Sequence, residues 1–257
     1  MKKICLVLVI VLSLSMIVGC GAQQNQSKTN TATSWLDGKT KLIMATEAGF
    51  APYEYYDDKN NVVGVDVDIA QAIADSLGLE LEVVDMKFDT ITLEVDAGRA
   101  DIGAAGITIT EDRAKMVDFS APYATSKQII VVKEGNSDIA GPDDLNGKTV
   151  GVQLGTVADF ELEEWPDVKV AQYDKYFEAV SDLTNGRIDA IVMDVLPAQE
   201  FINQQGGLVI LDEELLTDEY AICVKKGNDE MLNAVNAALN ELIRSGKVNE
   251  FTVNHSK

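Results

Sequence analysis

The stretch from Ala105 to Lys115, AGITITEDRAK, places an arginine where a helix is expected to begin. Thr110 has the side chain of a helix N-cap, with Glu111 and Asp112 following in the first turn. Arg113 then lies where the helix dipole repels a cation and where a capping box would carry Glu or Gln. This position indicates a negative partner nearby, and a planar guanidinium can donate two parallel hydrogen bonds to a carboxylate. The alternative is an exposed ion pair with Glu111 or Asp112, which contributes little.

Other polar groups follow directly after apolar, strand-like runs. Asp194 ends the run DAIVMD, and because the pattern of the next residues, VLPAQEF, is helical, Asp194 is also a good N-cap candidate. Gly155 and Thr156 follow the run TVGVQ and precede the helical VADFELEE. Their backbone N–H groups are therefore expected to form an anion site at a helix start.

Metal, disulfide and histidine-relay chemistry find little support in the sequence. The single histidine, His255, lies in the tail NHSK, where neither a metal cluster nor a Ser-His-Asp relay can be built around it. Cys223, in YAICVK, has no disulfide partner if Cys5 leaves with the leader and Cys20 is acylated, so we expect a buried core thiol. The segment DDKNN, residues 57–61, lacks the spacing of a calcium loop and is better explained as a hairpin turn. No cofactor and no metal are expected.

The first residues indicate export. MKK is a positive n-region, and the apolar run from Ile4 to Val18 is slightly short for a membrane span. The tetrapeptide from Ile17 to Cys20 resembles the lipobox of bacterial lipoproteins, which implies cleavage before Cys20 and lipid attachment to its thiol. We therefore expect a signal peptide at residues 1–19. A short uncleaved anchor is the alternative.

The segment after Cys20, GAQQNQSKTNTATS, is polar and has no periodicity. It predicts a flexible tether over residues 20–38, with the folded part starting near Lys39. Removing residues 1–19 deletes two lysines and no acids, so the formal charge changes from −21 to 19 minus 42, which is −23. Such a charge argues against binding to nucleic acid or anionic lipid.

The rest of the chain alternates short apolar runs with segments of helical period. KLIMAT, LELEVV, ADIGAA, TVGVQ and DAIVMD have the pattern of buried strands, and the segments between them have that of helices. This alternation predicts an α/β fold with mostly parallel strands.

A short motif occurs twice. Residues 98–102, GRADI, and residues 186–190, GRIDA, each join the end of a helical segment to a buried strand. Eight residues after each glycine lie Gly106 and Asp194, just past the strand, where open α/β sheets bind ligands. Two copies of one unit suggest two lobes facing each other across a cleft. The alternative is that the G-R-x-D motif recurs by chance in an acidic α/β chain. Two connections between the halves predict a two-strand hinge, with lobe 1 at residues 39–123 and 218–257 and lobe 2 at residues 124–217.

Five ordered motifs carry a resemblance to a known family: ATEAGFAPYEYYD, GVDVDIAQAIADSLG, AGITITEDRAKMVDFSAPY, DLNGKTVGVQLGT and IVMD. Together they resemble the polar-amino-acid solute-binding proteins, family 3, that feed ABC importers, from about Lys41 to about Gly246. The resemblance implies a periplasmic-binding-protein-like fold with the ligand in the cleft between two lobes. It also implies that free L-amino acids and the membrane subunits of an ABC transporter are the partners.

The resemblance gives the candidate residues their roles. Arg113 would clamp the α-carboxylate of an amino acid, with help from the backbone N–H and hydroxyl of Thr108 and from the helix start at Gly155 and Thr156. Asp194 would hold the α-ammonium, with the carbonyl of Gly106. A zwitterion held by both lobes favours the closed state.

Ligand preference is expected to depend on four other positions. Phe50 and Phe88 match family positions whose rings flank the ligand side chain, although aromatic residues are by default core residues. Glu47 and Gln153 match positions at the far end of the ligand. A carboxylate at 47 suits a guanidinium, ammonium or amide and repels an acidic ligand, so arginine or lysine is favoured and glutamine comes next. An exposed loop acid is the alternative for Glu47.

The sequence departs from the family pattern in two places. Val65 replaces an aromatic residue, and the tail EFTVNHSK lacks the Trp-bearing end of many members, which leaves the docking of the last helix open.

The sequence thus predicts a monomeric receptor, not an enzyme, that is lipid-anchored at the extracellular face of the bacterial membrane. The main alternative is an enzyme on the same fold that resembles cyclohexadienyl dehydratases and uses Glu47 as its acid. A receptor's sensor domain is a third possibility.

Overall fold

The computed structural model describes residues 34–256. The predicted signal peptide, Cys20 and most of the predicted tether lie outside the described residues. The described part of the chain is mixed α/β, which confirms the predicted fold class. Its strands are β1 Lys41–Thr46, β2 Tyr55–Tyr56, β3 Val62–Val63, β4 Glu80–Asp85, β5 Ile102–Gly103, β6 Val117–Phe119, β7 Ala124–Lys133, β8 Thr149–Gln153, β9 Lys169–Tyr173, β10 Ala190–Asp194, β11 Leu208–Tyr220 and β12 Cys223–Lys225.

Helices cover both five-stranded sheets. They are α1 Val65–Leu77, α2 Ile91–Asp96, α3 Glu111–Met116, α4 Val157–Glu163, α5 Tyr176–Thr184, α6 Val195–Gln205, α7 Asp229–Arg244 and α8 Lys247–His255. Short 3-10 turns occur at Ser34–Leu36, Phe88–Thr90 and Pro142–Leu145. None of the helices within residues 34–256 is long and apolar enough to cross a bilayer.

Each sheet belongs to one lobe. The first lobe has strand order β4-β1-β5-β12-β6, and the second has β11-β7-β10-β8-β9. In both lobes the central strands are parallel: β1 pairs with β4 and β5, and β8 pairs with β9 and β10. Strands β8 and β10 are almost fully buried, as expected for parallel strands covered on both faces. The carboxyl ends of these strands carry the residues of the site.

Two long strands connect the lobes. Strand β7 enters the second lobe and β11 leaves it, and the two pair in antiparallel fashion from Ala124 opposite Tyr220 to Lys133 opposite Leu208. Strand β11 continues three residues beyond the predicted limit of the second lobe at residue 217. Trp35 and Leu36, which fall in the predicted tether, pack against the core of the described part.

The repeated GR-x-D motif forms the same hydrogen bonds in both lobes. Arg99 pairs with Glu94 and Arg187 with Asp182, five residues earlier in each case. The carboxylates of Asp101 and Asp189 accept from backbone N–H groups on the neighbouring parallel strand, at 2.9 and 2.7 Å. The motif therefore joins a helix end to a buried strand twice, as the sequence predicts, and it is a repeated structural unit.

Several local predictions are confirmed. Cys223 is a free, fully buried thiol, and burial raises its pKa to about 12. Residues 57–61 connect the antiparallel strands β2 and β3 as a hairpin turn. The tail forms α8, which packs against α1, and His255 contacts Tyr55 and Asp68 at 3.0 and 2.9 Å.

Candidate ligand-binding site

The cleft between the lobes contains a small, enclosed cavity, here called the cleft cavity. Its wall comes from both lobes and consists of Glu47, Phe50, Glu54, Phe88, Ala105, Gly106, Thr108, Arg113, Gln128, Gln153, Thr156, Val157, Tyr176 and Tyr220. The cavity volume is about 20 Å³, close to the space that one water needs. Pockets for small molecules measure on the order of 300 Å³ or more, so the lobes must separate before a ligand enters. At the cleft cavity the two lobes are therefore closed on each other.

Arg113 reaches into this cavity from the first lobe. Its side chain is buried, and its Nη1 donates to the Thr108 carbonyl at 2.7 Å. Its Nη2 crosses the cleft and donates to the Gly155 carbonyl at 2.9 Å. The ring of Phe88 lies 5.4 Å from the guanidinium carbon, a cation–π distance. Burial lowers the pKa of Arg113, but a guanidinium remains charged in proteins.

The start of α3 fixes this arginine in place. The Thr110 hydroxyl accepts from the Arg113 N–H at 3.2 Å, which confirms the predicted N-cap. Asp112 pairs with Lys115 instead. No carboxylate within residues 34–256 forms an ion pair with Arg113, so the alternative of an exposed pair with Glu111 or Asp112 is wrong. The positive charge is instead held between two carbonyl oxygens.

Glu47 lies at the other end of the cavity and is only 2% exposed, so the alternative of an exposed loop acid is also wrong. Its Oε2 accepts from Gln153 Nε2 at 3.1 Å, and its Oε1 lies 2.7 Å from the ammonium of Lys175. Burial raises the pKa of Glu47, although Lys175 and Gln153 both act to lower it. Glu47 and Gln153 thus face each other across the cleft, and Lys175 is a residue that the sequence analysis did not single out.

Aromatic rings form the wall between these two ends. Phe50 stacks on Tyr53 and, across the cleft, on Tyr176, with ring centroids 5.8 and 5.9 Å apart. Gly106 has φ of +54°, and a Cβ there would lie 3.0 Å from the Phe50 ring and 3.2 Å from the Tyr220 ring. Only glycine combines this conformation with such close contact.

The helix start at Gly155 and Thr156 differs from the expected arrangement. The Gly155 N–H already donates to the Asp159 carboxylate at 2.8 Å, and the Thr156 N–H donates to the Gln153 carbonyl at 3.3 Å. In the closed cleft neither N–H is free to bind a carboxylate, because Asp159 of α4 occupies the first and the Gln153 carbonyl occupies the second. Thr156 lines the cavity, whereas Gly155 contributes its carbonyl to Arg113.

Asp194 is fully buried and does not line the cleft cavity. Its Oδ1 caps α6 by accepting from the Leu196 N–H at 2.9 Å, which confirms the predicted N-cap. Its Oδ2 accepts from the hydroxyl of Tyr220, whose ring does line the cavity. Burial raises the pKa of Asp194 to about 6. Binding of the ligand's α-ammonium by Asp194 stays a prediction. In the closed cleft the Tyr220 hydroxyl occupies Asp194 Oδ2.

Four further polar residues of the cavity wall were not predicted: Glu54, Gln128, Tyr176 and Tyr220. Gln128 and Tyr220 lie on the connecting strands β7 and β11, so their position next to the hinge was the available signal. Glu54 lies within the motif ATEAGFAPYEYYD and is fully buried. Its pKa is raised well above the usual range, first by burial and then by the negative charge of Asp66. Within residues 34–256, no group of three or more His, Cys, Asp or Glu side chains is arranged to hold a metal ion.

Two facing α/β lobes, joined by paired strands around an enclosed polar cavity, define a solute-binding class of protein. Residues 42–255 match the family model of the bacterial extracellular solute-binding proteins, family 3, and the chain belongs to this family.

Relatives within the family differ in what they bind. The L-cystine-binding protein TcyJ of Escherichia coli is 35% identical over 212 residues, which cover 80% of this chain and 78% of TcyJ. The arginine-binding extracellular protein ArtP of Bacillus subtilis is 35% identical over 217 residues, covering 82% and 84%. The structure of an ancestral arginine-binding protein bound to glutamine superposes with a TM-score of 0.79 at 40% identity, covering 83% of this chain and 96% of that one.

Proposed function

We propose that this protein is the lipid-anchored, extracellular substrate-binding component of an amino-acid ABC importer. It closes on a polar or basic L-amino acid, with arginine or lysine favoured and glutamine next. The relatives that are named for binding amino acids support this class of ligand.

The observation that carries the proposal is that Arg113 is buried and forms no ion pair with the described residues. A buried guanidinium without a carboxylate partner among the described residues is costly unless a ligand supplies the negative charge. Its two hydrogen bonds go to carbonyl oxygens, one in each lobe. When the lobes open, the bond to Gly155 breaks, and a ligand carboxylate takes that place with a charge-assisted, bidentate geometry.

The amine of the ligand is assigned to the region of Gly106 and Asp194. Gly106 lines the cavity, and Asp194 lies behind Tyr220. Opening of the hinge strands moves Tyr220, which lies at the end of β11, and would expose the Asp194 carboxylate to an α-ammonium group. Arg113 of the first lobe would then hold the carboxylate end and Asp194 of the second lobe the amine end, so the zwitterion favours closure.

Family membership supports the importer role, and the lipobox-like residues 17–20 support the lipid anchor. Lipid attachment at Cys20 is tested by Cys20→Ser, which should release the protein from the membrane fraction into the medium. An unchanged membrane fraction would support the uncleaved anchor instead.

A dehydratase would need a cleft acid that can exchange a proton with its substrate. Glu47 is engaged by Lys175 and Gln153, which favours binding over turnover. Measurable consumption of prephenate or arogenate would reverse this conclusion.

A thermal-shift screen of residues 20–257 against the twenty amino acids tests the proposal. A ligand that binds only the native state must raise the melting temperature. We expect the largest increases with arginine and lysine and a smaller one with glutamine. A melting temperature that no amino acid raises would refute the proposed function.

A further inference from the structure

The ion pair at the far end of the cleft cavity joins the two lobes. Lys175 belongs to the second lobe, directly before α5, and its ammonium lies 2.7 Å from Glu47 Oε1 in the first lobe. The side chain of Lys175 is 29% exposed, whereas that of Glu47 is 2% exposed. The lysine therefore reaches from the solvent side to a carboxylate that the cleft encloses.

The position of Lys175 is unfavourable for a cation within its own helix. It is the N-cap residue of α5, its side chain makes no capping hydrogen bond, and the dipole of the helix repels positive charge there. Burial acts to lower the pKa of Lys175, yet the hydrogen bond and the charge of Glu47 raise it overall. The carboxylate across the cleft thus accounts for the lysine at this position.

Both oxygens of Glu47 have partners when the cleft is closed. Gln153 donates to Oε2 and also to the carbonyl of Asp174, while Lys175 approaches Oε1. A ligand that extends a cationic group toward Glu47 must therefore take the place of the Lys175 ammonium. A ligand with a neutral end leaves the ion pair intact.

A second acid lies within reach of the lysine. Asp85 Oδ2 is 3.7 Å from the Lys175 ammonium and belongs to the same lobe as Glu47. When a ligand cation occupies Glu47, Lys175 can turn toward Asp85 and solvent without leaving a buried charge unpaired. The exchange therefore still costs free energy, because one close ion pair is replaced by a looser one.

On the basis of the proposed function, we propose that Lys175 is a specificity residue that competes with the cationic end of the ligand for Glu47. It lowers the preference of the cleft for arginine or lysine over neutral ligands of the same shape. When the charge of Lys175 is removed, a cationic ligand no longer has to compete with it for Glu47.

The test compares arginine with citrulline, its neutral analogue of nearly the same shape, by calorimetry on four proteins. Lys175→Met should raise the preference for arginine over citrulline by about tenfold relative to the unsubstituted protein. Lys175→Arg keeps the charge and should leave the preference near its original value. Lys87→Met is the matched control, because Lys87 forms a separate ion pair across the cleft, with Asp174 and not with Glu47.

The outcomes separate this inference from the proposed function. An unchanged or lower preference for arginine in Lys175→Met, or an equal rise in Lys87→Met, would overturn the specificity role while amino-acid binding stands. If the unsubstituted protein binds neither ligand nor any other amino acid, the proposed function fails and the role of Lys175 fails with it. Circular dichroism of each variant verifies that the fold is retained.

Discussion

The two ends of the cleft cavity carry opposite charges, and they differ in whether the charge has an ion-pair partner. Arg113 at one end is buried without a carboxylate partner among residues 34–256, and its hydrogen bonds go to carbonyl oxygens. Glu47 at the other end is equally buried but has a lysine from the opposite lobe at 2.7 Å. The charge without an ion-pair partner suits a ligand group that is always present, the α-carboxylate. The compensated charge suits a ligand group that varies, the side chain.

The strongest challenge to this comparison is removal of the Arg113 guanidinium, the charge that has no ion-pair partner among the described residues. Arg113→Ala should weaken the binding of every amino acid by at least about 100-fold, since the ligand carboxylate loses a buried, charged partner. Calorimetry with arginine, lysine and glutamine measures the effect. Arg99→Ala is the control, because Arg99 is an exposed arginine that pairs with Glu94 outside the cleft. Full affinity in Arg113→Ala would remove the carboxylate end from the account.

The opposite end should respond selectively. Glu47→Gln keeps the shape of the side chain and removes its charge, so the affinity for arginine should fall by about tenfold while that for glutamine changes less. The ratio of the two dissociation constants is the measurement. Equal losses for both ligands would mean that Glu47 supports closure in general and does not select the ligand.

The contact between the lobes can be tested at Gly155. This residue has φ of +80°, and a Cβ there would lie 2.8 Å from the Cβ of Asp89 in the first lobe. Gly147 has φ of +78° and open space around it, so it is a matched control. Both alanine variants should lose about 1–2 kcal/mol of folding stability from backbone strain. Only Gly155→Ala should also weaken ligand binding, by a further several-fold, and equal affinities in the two variants would argue against this close approach.

The smallest effect concerns Glu54, the buried acid in the cavity wall whose pKa is raised. Because the pKa of Glu54 is raised in the folded state, the unfolded chain releases this proton first as the pH rises. Glu54 therefore lowers the free energy of unfolding above its usual pKa range and has no such effect below it. Glu54→Gln should increase stability more at pH 8 than at pH 4, as measured by urea unfolding. A larger gain at pH 4 would contradict the raised pKa of Glu54.

Sequence reasoning reached the fold because its evidence is local and repeated. Buried runs such as TVGVQ and the duplicated GR-x-D motif depend on neighbours along the chain, and each forms the strand or helix end that its pattern predicts. The N-caps at Thr110 and Asp194 are local in the same sense.

The site was less predictable because it depends on contacts between distant segments. Eight of the ten predicted ligand residues line the cavity, but Gly155 contributes a carbonyl and Asp194 lies behind Tyr220. The Asp159 side chain fills the anion position of its own helix, which the pattern VADFELEE does not reveal. The pairing of Lys175 with Glu47 joins residues 128 positions apart, and only the closed arrangement of the lobes brings them together.

The central claim is that Arg113 recognises the carboxylate of the ligand, and a cycle with arginine and argininamide tests it most directly. Argininamide keeps the amine and the guanidinium and replaces the carboxylate with a neutral amide. The account predicts that the unsubstituted protein binds argininamide at least about 100-fold more weakly than arginine, and that Arg113→Ala binds both with similarly low affinity. If Arg113→Ala still discriminates between the two ligands as strongly as the unsubstituted protein does, another group holds the carboxylate and the claim is wrong.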